Sequence, residues 1–245
     1  MRLVGIDYCA HLRENGELMA DAAGRDLDAH VSSCPDWNVA KLVIHMGQHH
    51  RWVADSVRRG GEPPVDPPKP GLRGEELLAW LREGVHDLAD LLERSDDEAP
   101  AWSWSGDNRV GFWRRRTALE TLIHRWDGEN ATGKTSPLDP ILASDCVDEM
   151  LFIFAPRYGS AYAGQPGTAS LSLTDAPGAW TIRFTGDEVP TTEHGGDGPP
   201  PSDVTIEGRV ENVSLFLWGR RGPDVVKVDG DEDLARSMVD WMGSS

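Results

Sequence analysis

Residues 34–52 read CPDWNVAKLVIHMGQHHRW, a stretch that predicts an amphipathic helix beginning directly after a turn. Asn38 stands at the expected N-cap, where its side-chain oxygen can accept a hydrogen bond from the backbone of the first helical turn. From Val39 to about Arg58, apolar residues recur at the three- and four-residue spacing of one buried stripe. The same helix carries three histidines: His45, His49 and His50. The stretch therefore predicts a bundle helix with imidazole groups near its buried side.

Helical spacing extends over the first part of the chain, to about residue 157. It predicts further helices at 5–29, 75–94, 112–128 and 139–156. The segment 61–71, GEPPVDPPKPG, is predicted to be a loop because proline lacks the backbone donor and obstructs the preceding turn. The first part of the chain is therefore predicted to be a helical bundle.

After residue 157 the pattern changes to short segments that alternate apolar and polar residues between turn signals. These segments predict strands at 169–175, 179–186, 202–208 and 225–228. Short helices are expected at 211–221 and 231–242, and a flexible loop or hairpin at 191–201. The chain is therefore predicted to be an α+β protein, with a helical bundle over residues 1–160 and a smaller α+β domain over residues 161–245.

The composition excludes several classes of partner. The formal net charge of −17 argues against nucleic acid and against an anionic membrane surface, because both require a basic patch. No apolar run approaches the roughly 20 residues of a membrane-spanning helix, and charges interrupt the start of the chain where a signal peptide would be apolar. Three widely spaced cysteines do not suit a disulfide framework. We therefore expect a cytoplasmic protein with small-molecule partners.

Glu120 and His124 are four residues apart on a predicted helix, so both side chains lie on one face and can reach one ion. Asp127 falls on the same flank, beside an apolar ridge. Three such groups at the edge of a core are costly to bury without an ion or another partner. The alternative is a solvated helix face that carries an ordinary acid–histidine pair.

The helix at 39–58 favours the metal site over that alternative. Bundles build metal sites from side chains on facing helices, and here two helices both offer imidazole groups near the interior. Two histidines and one carboxylate also form the ligand set of many catalytic zinc sites, where a fourth position stays open for water or substrate. From spacing alone, the histidine contributed by the second helix could be His45 or His49.

The stretch 34–52 resembles the second-helix signature of the mycothiol-dependent maleylpyruvate isomerase family, which is related to the DinB-like metal-binding bundles. In that signature a Trp-polar-Val start leads to a histidine, which matches Trp37 and His45. The second signature of the family, Glu-x-x-x-His-Arg followed by Asp, matches ETLIHRWD at 120–127. Residues 202–231 resemble the second domain of the family, a sterol-carrier-like α+β unit with a Leu-Trp-Gly-Arg helix end.

The resemblance implies a fold, a cofactor pair and a reaction. It implies an up-and-down bundle in which His45, Glu120 and His124 bind a divalent metal, with zinc expected, and mycothiol as the thiol cofactor. In such a site a metal-activated thiolate adds to a cis-enoyl dicarboxylate, and rotation followed by thiolate expulsion gives the trans isomer. Arg220, in the Leu-Trp-Gly-Arg motif, would bind a substrate carboxylate. The adjacent Arg221, or a purely structural surface arginine, remains an alternative.

Other residues near these motifs are expected to have structural roles. Asp127 is expected to orient an imidazole, His49 to lie in the core and His50 at the surface. The arginines 114–116 are expected on a solvated face, with the alternative that one of them faces the cleft. Cys34 is expected in a turn packed against Trp37. Two alternative functions also stay open: a mycothiol-dependent thiol transferase that detoxifies electrophiles, and a non-catalytic, metal-stabilised protein that binds a ligand or a partner.

Overall fold

A computed structural model of the chain describes residues 5–158, 164–186, 188–195 and 201–241. The fold is α+β, with a helical part followed by a five-stranded sheet. The chain divides into two compact units. One unit comprises Asp7–Ser136, and the other comprises Pro137–Ser245 together with Met1–Ile6. In the described part of the chain, no helix has the length and apolar character needed to cross a membrane.

Four long helices form the first unit: α1 (Tyr8–Ala23), α2 (Val39–Arg59), α3 (Gly74–Arg94) and α4 (Val110–Ala131). Helices α1 and α2 each pack against both α3 and α4. Asn38 caps α2 as predicted, because its side chain accepts a hydrogen bond of 3.0 Å from the backbone N–H of Lys41. The largest buried side chains of this core include Leu12, Met19, Leu42, Met46, Leu81, Leu88, Trp113, Leu119 and Leu122.

The contact between α2 and α3 depends on the absence of a side chain at Gly47. A Cβ placed there would lie 2.0 Å from the indole ring of Trp80 on α3. The guanidinium of Arg51 packs on a face of the Trp80 ring, 4.0 Å from the ring centroid. Gly47 thus allows the two helices to approach closely, two residues beyond His45.

The proline-rich segment between α2 and α3 is irregular, as predicted, and is hydrogen-bonded to several residues of α2. Arg59 donates to the carbonyl of Pro63 at 3.0 Å, and the backbone N–H of Val65 donates to Asp55 at 2.9 Å. Gln48 donates to the carbonyl of Pro67 at 2.9 Å. These bonds hold the segment along the helix that carries His45.

The second unit begins with α5 (Pro140–Glu149), which continues through a π-helical turn (Met150–Phe154) into α6 (Ala155–Tyr158). The sheet that follows contains β1 (Gly167–Leu173), β2 (Ala179–Phe184), β3 (Thr191–His194), β4 (Val204–Gly208) and β5 (Lys227–Gly230). Its strand order is β3-β2-β1-β4-β5, with only β1 and β4 parallel. The remaining helices are α7 (Val210–Leu217) and α8 (Glu232–Trp241). Apolar residues of these helices and the sheet form one core.

Several sequence-based boundaries differ from the structure. Helix α1 is shorter than the predicted 5–29, because Asp7 caps it at Tyr8 and it ends at Ala23. Residues 191–194, predicted as part of a flexible hairpin or loop, form an edge strand that pairs antiparallel with β2. Residues 196–200 lie outside the described part. Helix α5 was expected in the bundle but packs against α7 in the second unit. The predicted domain border at 160/161 lies outside the described residues and stays a prediction.

Candidate metal centre

Helices α2 and α4 bring together the three side chains expected to bind a metal. The ligand atoms of His45, Glu120 and His124 all lie within 4.8 Å of one another. The Oε1 atom of Glu120 lies 3.7 Å from Nε2 of His45 and 3.4 Å from Nε2 of His124, too far for good hydrogen bonds. Ligand atoms around a tetrahedral zinc ion are separated by about 3.3–3.4 Å, given metal–ligand distances of about 2.0–2.1 Å. The donor set and its spacing therefore fit a divalent ion.

The second oxygen of Glu120 is held from within the same helix. Arg116, one turn earlier, forms an ion pair with Oε2 of Glu120, and its side chain is only 5% exposed. The prediction that residues 114–116 form a solvated face is wrong for Arg116, which is buried in the bundle. The ion pair leaves Oε1 directed toward the two histidines and so presents the carboxylate as a single-oxygen ligand.

His124 is oriented by Asp127, as the sequence predicted for this carboxylate. The Nδ1 atom of His124 lies 2.8 Å from Oδ2 of Asp127, and both residues are buried. Because a carboxylate only accepts hydrogen bonds, Nδ1 carries a proton, and in the neutral ring Nε2 keeps its lone pair. That lone pair faces the Oε1 atom of Glu120. The bond therefore selects the tautomer that a metal ligand requires.

His45 is more exposed than His124 and packs against the indole ring of Trp37, with ring centroids 4.9 Å apart. Burial, together with the charges of His124 and Arg116, lowers the pKa of His45 to about 4. His45 is therefore neutral near pH 7, and one of its ring nitrogens has a lone pair available to a cation. The two candidate ligand rings meet edge to face, with centroids 5.2 Å apart.

The two remaining histidines of α2 do not join the ligand group. The expectation that His50 lies at the surface is wrong, because it is completely buried. Its Nε2 lies 3.0 Å from the hydroxyl of Thr121, and that hydroxyl donates to the carbonyl of Thr117. His50 must therefore donate from Nε2, and its role is structural. His49 stacks beside His45 with ring centroids 6.5 Å apart, and its pKa is lowered well below the usual value by burial.

A cavity of about 430 Å³ opens beside His45. Its walls come from α2, the proline-rich segment and the connection before α4, and they are lined by His45, Gln48, His49, Trp52, Asp66, Pro67 and Trp104. Among the described residues, the lining is largely aromatic and includes the carboxylate of Asp66 but no lysine or arginine. A small molecule in this cavity would lie against one of the candidate ligands.

Two family models match the chain. Residues 10–128 match the mycothiol maleylpyruvate isomerase N-terminal domain, and residues 142–237 match the corresponding C-terminal domain. Together they cover both units and nearly the whole chain. The chain belongs to the mycothiol-dependent maleylpyruvate isomerase family. The family membership inferred from the motifs at 34–52, 120–127 and 202–231 is thereby confirmed.

Two solved structures resemble this member of the maleylpyruvate isomerase family. They are the mycothiol-dependent maleylpyruvate isomerase and a histidine-to-alanine mutant of that protein. Each aligns with a TM-score of 0.63 at 13% identity and covers 91% of both chains. At this identity the match establishes a shared fold across both units. No curated protein matches the chain by sequence.

Arg220, the family's predicted carboxylate-binding residue, lies just after α7 in the second unit. Gly219, with a φ of 69°, ends the helix immediately before it. Arg220 donates to the carbonyl of Trp218 at 2.7 Å. Arg221, the alternative, forms an ion pair of 3.0 Å with Glu211 and also bonds Asn212, both on α7. Both arginines therefore bond to α7 or its C-terminal end, and the assignment of the substrate carboxylate to Arg220 stays a prediction based on the family motif.

Proposed function

We propose that this chain is a metal-dependent and mycothiol-dependent isomerase that converts a cis-enoyl dicarboxylate of the maleylpyruvate type to its trans isomer. The observation that carries the proposal is the group formed by His45, Glu120 and His124, in which two imidazoles and one carboxylate oxygen converge beside a cavity. Family membership supplies the reaction type. The small-molecule partners and the cytoplasmic location expected from the sequence stay predictions.

Neighbouring side chains would orient two of the three ligands toward the ion. His124 is fixed in tautomer and orientation by Asp127, and Glu120 is limited to one oxygen by Arg116. Zinc bound by these three ligands would lower the pKa of a coordinated thiol and would supply a positive charge near the acceptor. The ligand set carries one negative charge, so a divalent ion would retain a net positive charge at the site.

A thiol supplied by a cofactor suits this chain because two of its three cysteines are buried. Cys9 and Cys146 are buried in their respective units, and burial raises the pKa of Cys9. A raised pKa lowers the thiolate fraction and therefore the reactivity. Reversible addition of an external thiol to the double bond permits rotation and returns the thiol unchanged. The protein then needs to bind and orient the reactants, and we assign the binding of a substrate carboxylate to Arg220.

A second candidate function is thiol transfer to an uncharged electrophile, and the cavity beside His45 favours it. Its lining contains Trp52, Trp104 and Pro67, and the charged side chain among the described lining residues is Asp66. Aromatic walls accommodate an apolar acceptor, whereas Asp66 repels a dianion. The same metal and thiol would serve both reactions.

The decisive experiment compares both reactions in zinc-reconstituted protein. We expect about one zinc ion per chain by atomic emission, and thiol-dependent conversion of maleylpyruvate that is lost with the metal in His124→Ala. His86→Ala is the matched control, because His86 lies on the surface of α3 beside Glu17. Transfer of mycothiol to a neutral enone without isomerisation would select the second function. A wild-type protein that binds no metal after reconstitution would contradict both.

A further inference from the structure

A chain of hydrogen bonds reaches His124 from the turn that precedes α2. The hydroxyl of Ser33 donates to Oδ1 of Asp127 at 2.6 Å, and Oδ2 of Asp127 accepts from Nδ1 of His124 at 2.8 Å. Ser33 and Asp127 are 94 residues apart in sequence. The bonds therefore connect the candidate metal centre to a segment that supplies none of its ligands.

The direction of these bonds follows from the chemistry of Asp127. Its side chain is fully buried, and an ionised carboxylate at such a position accepts hydrogen bonds to offset the loss of water. Ser33 must then be the donor to Oδ1, while the ring of His124 donates to Oδ2. With one donor on each oxygen, the plane of the carboxylate is defined, and so is the plane of the imidazole.

The turn that contains Ser33 is stabilised by backbone hydrogen bonds. Backbone hydrogen bonds link Cys34 to Val31 at 3.0 Å, Trp37 to Cys34 at 2.8 Å and Val31 to Trp37 at 3.0 Å. Trp37, at the end of the same turn, packs against the ring of His45. One short segment thus contacts one candidate ligand directly, through Trp37, and the other through Asp127.

We infer that Ser33 is a positioning residue of the metal centre, acting through Asp127 to direct Nε2 of His124 toward Oε1 of Glu120. The inference rests on the metal site of the proposed function. Loss of a residue that bonds a metal ligand lowers metal affinity by about 10–100-fold. Ser33 lies one bond farther from the ion, so we expect Ser33→Ala to weaken zinc binding about fivefold to tenfold.

The adjacent serine provides a matched control. Ser32 is exposed and accepts a hydrogen bond of 3.2 Å from Asn130, without contact to Asp127. Ser32→Ala therefore removes a hydroxyl from the same turn and leaves the bond to Asp127 in place. Ser33→Thr retains a hydroxyl at the critical position and tests for rescue.

Zinc affinity is measured by competition with a chromophoric chelator, and ligand geometry by the visible spectrum of the cobalt-substituted protein. We expect Ser33→Ala to bind zinc about fivefold to tenfold more weakly with an altered cobalt spectrum, and Ser33→Thr and Ser32→Ala to resemble wild type. Equal affinity of Ser33→Ala and wild type overturns the inference, as does an equal loss in Ser32→Ala. A wild type that binds no zinc overturns both this inference and the proposed function. Absence of isomerisation alongside the expected affinities overturns only the proposed function.

Discussion

Arg116 forms a buried ion pair with Glu120 on the carboxylate oxygen that points away from His45 and His124. The two side chains are only 5% and 15% exposed, so the ion pair is largely shielded from solvent. A bound cation would provide Glu120 with a second compensating charge. The importance of Arg116 for stability should therefore depend on metal occupancy.

Arg116→Met tests this dependence. In metal-free protein the substitution leaves the carboxylate of Glu120 without its partner, and we expect the free energy of unfolding to fall by about 3 kcal/mol. With saturating zinc the loss should be clearly smaller, as measured by urea unfolding. Arg109→Met is the control, because Arg109 pairs with Asp107 and Glu98 at an exposed site, where loss of an ion pair should change the stability little. An identical loss for Arg116→Met with and without zinc would argue against Glu120 as a ligand.

The buried His50 predicts how stability depends on pH. Burial lowers the pKa of His50 well below its usual value of about 6.5 in the folded state. As the pH falls below about 6.5, unfolded chains bind a proton at His50 that folded chains do not, so the free energy of unfolding decreases. In metal-free protein, His50→Gln should reduce this pH dependence by about one proton. Urea unfolding at a series of pH values measures the slope, and an unchanged slope would be inconsistent with a neutral buried His50.

Gly47 predicts a packing effect near the metal centre. The Cβ of Gly47→Ala would overlap the Trp80 ring, which the guanidinium of Arg51 holds from its face. We expect a loss of about 1–3 kcal/mol in the free energy of unfolding, because α2 and α3 must separate. Gly61→Ala is the control, since a Cβ at Gly61 meets no atom within 4 Å. Equal stability of the two variants would show that Trp80 can move without cost.

The sequence predicted those parts of the fold that depend on local patterns. Asn38 caps α2, and the four-residue spacing of Glu120 and His124 places both side chains toward one point, as expected from helix geometry. Alternation of apolar residues also located most strands of the second unit. By contrast, the choice of His45 over His49 required the family signature, because both lie near the buried side of α2.

The features that the sequence did not predict arise from the tertiary packing around α4. Its residues 121–129 are all buried, so the helix has no solvated flank in that region. The expectation that each helix has one solvent-exposed face was therefore wrong for Arg116 on α4. It was wrong in the same way for His50 on α2, because both side chains are buried. Ser33 could not be identified from a pattern, because its contact with Asp127 arises only when the turn before α2 packs against α4.

The charge of Asp66 makes the choice between the two candidate reactions testable. Asp66 lines the cavity beside His45 and should repel a dianionic acceptor while leaving a neutral one unaffected. We expect Asp66→Asn to raise kcat/KM for maleylpyruvate about threefold at low ionic strength, an effect that weakens with added salt. Turnover of a neutral enone should not change. Glu62→Gln is the control, because Glu62 belongs to the same segment but pairs with Arg59 and does not line the cavity. An unchanged rate for the dianion in Asp66→Asn would mean that the acceptor approaches the metal from outside this cavity, which would remove the observation that favours the transfer reaction.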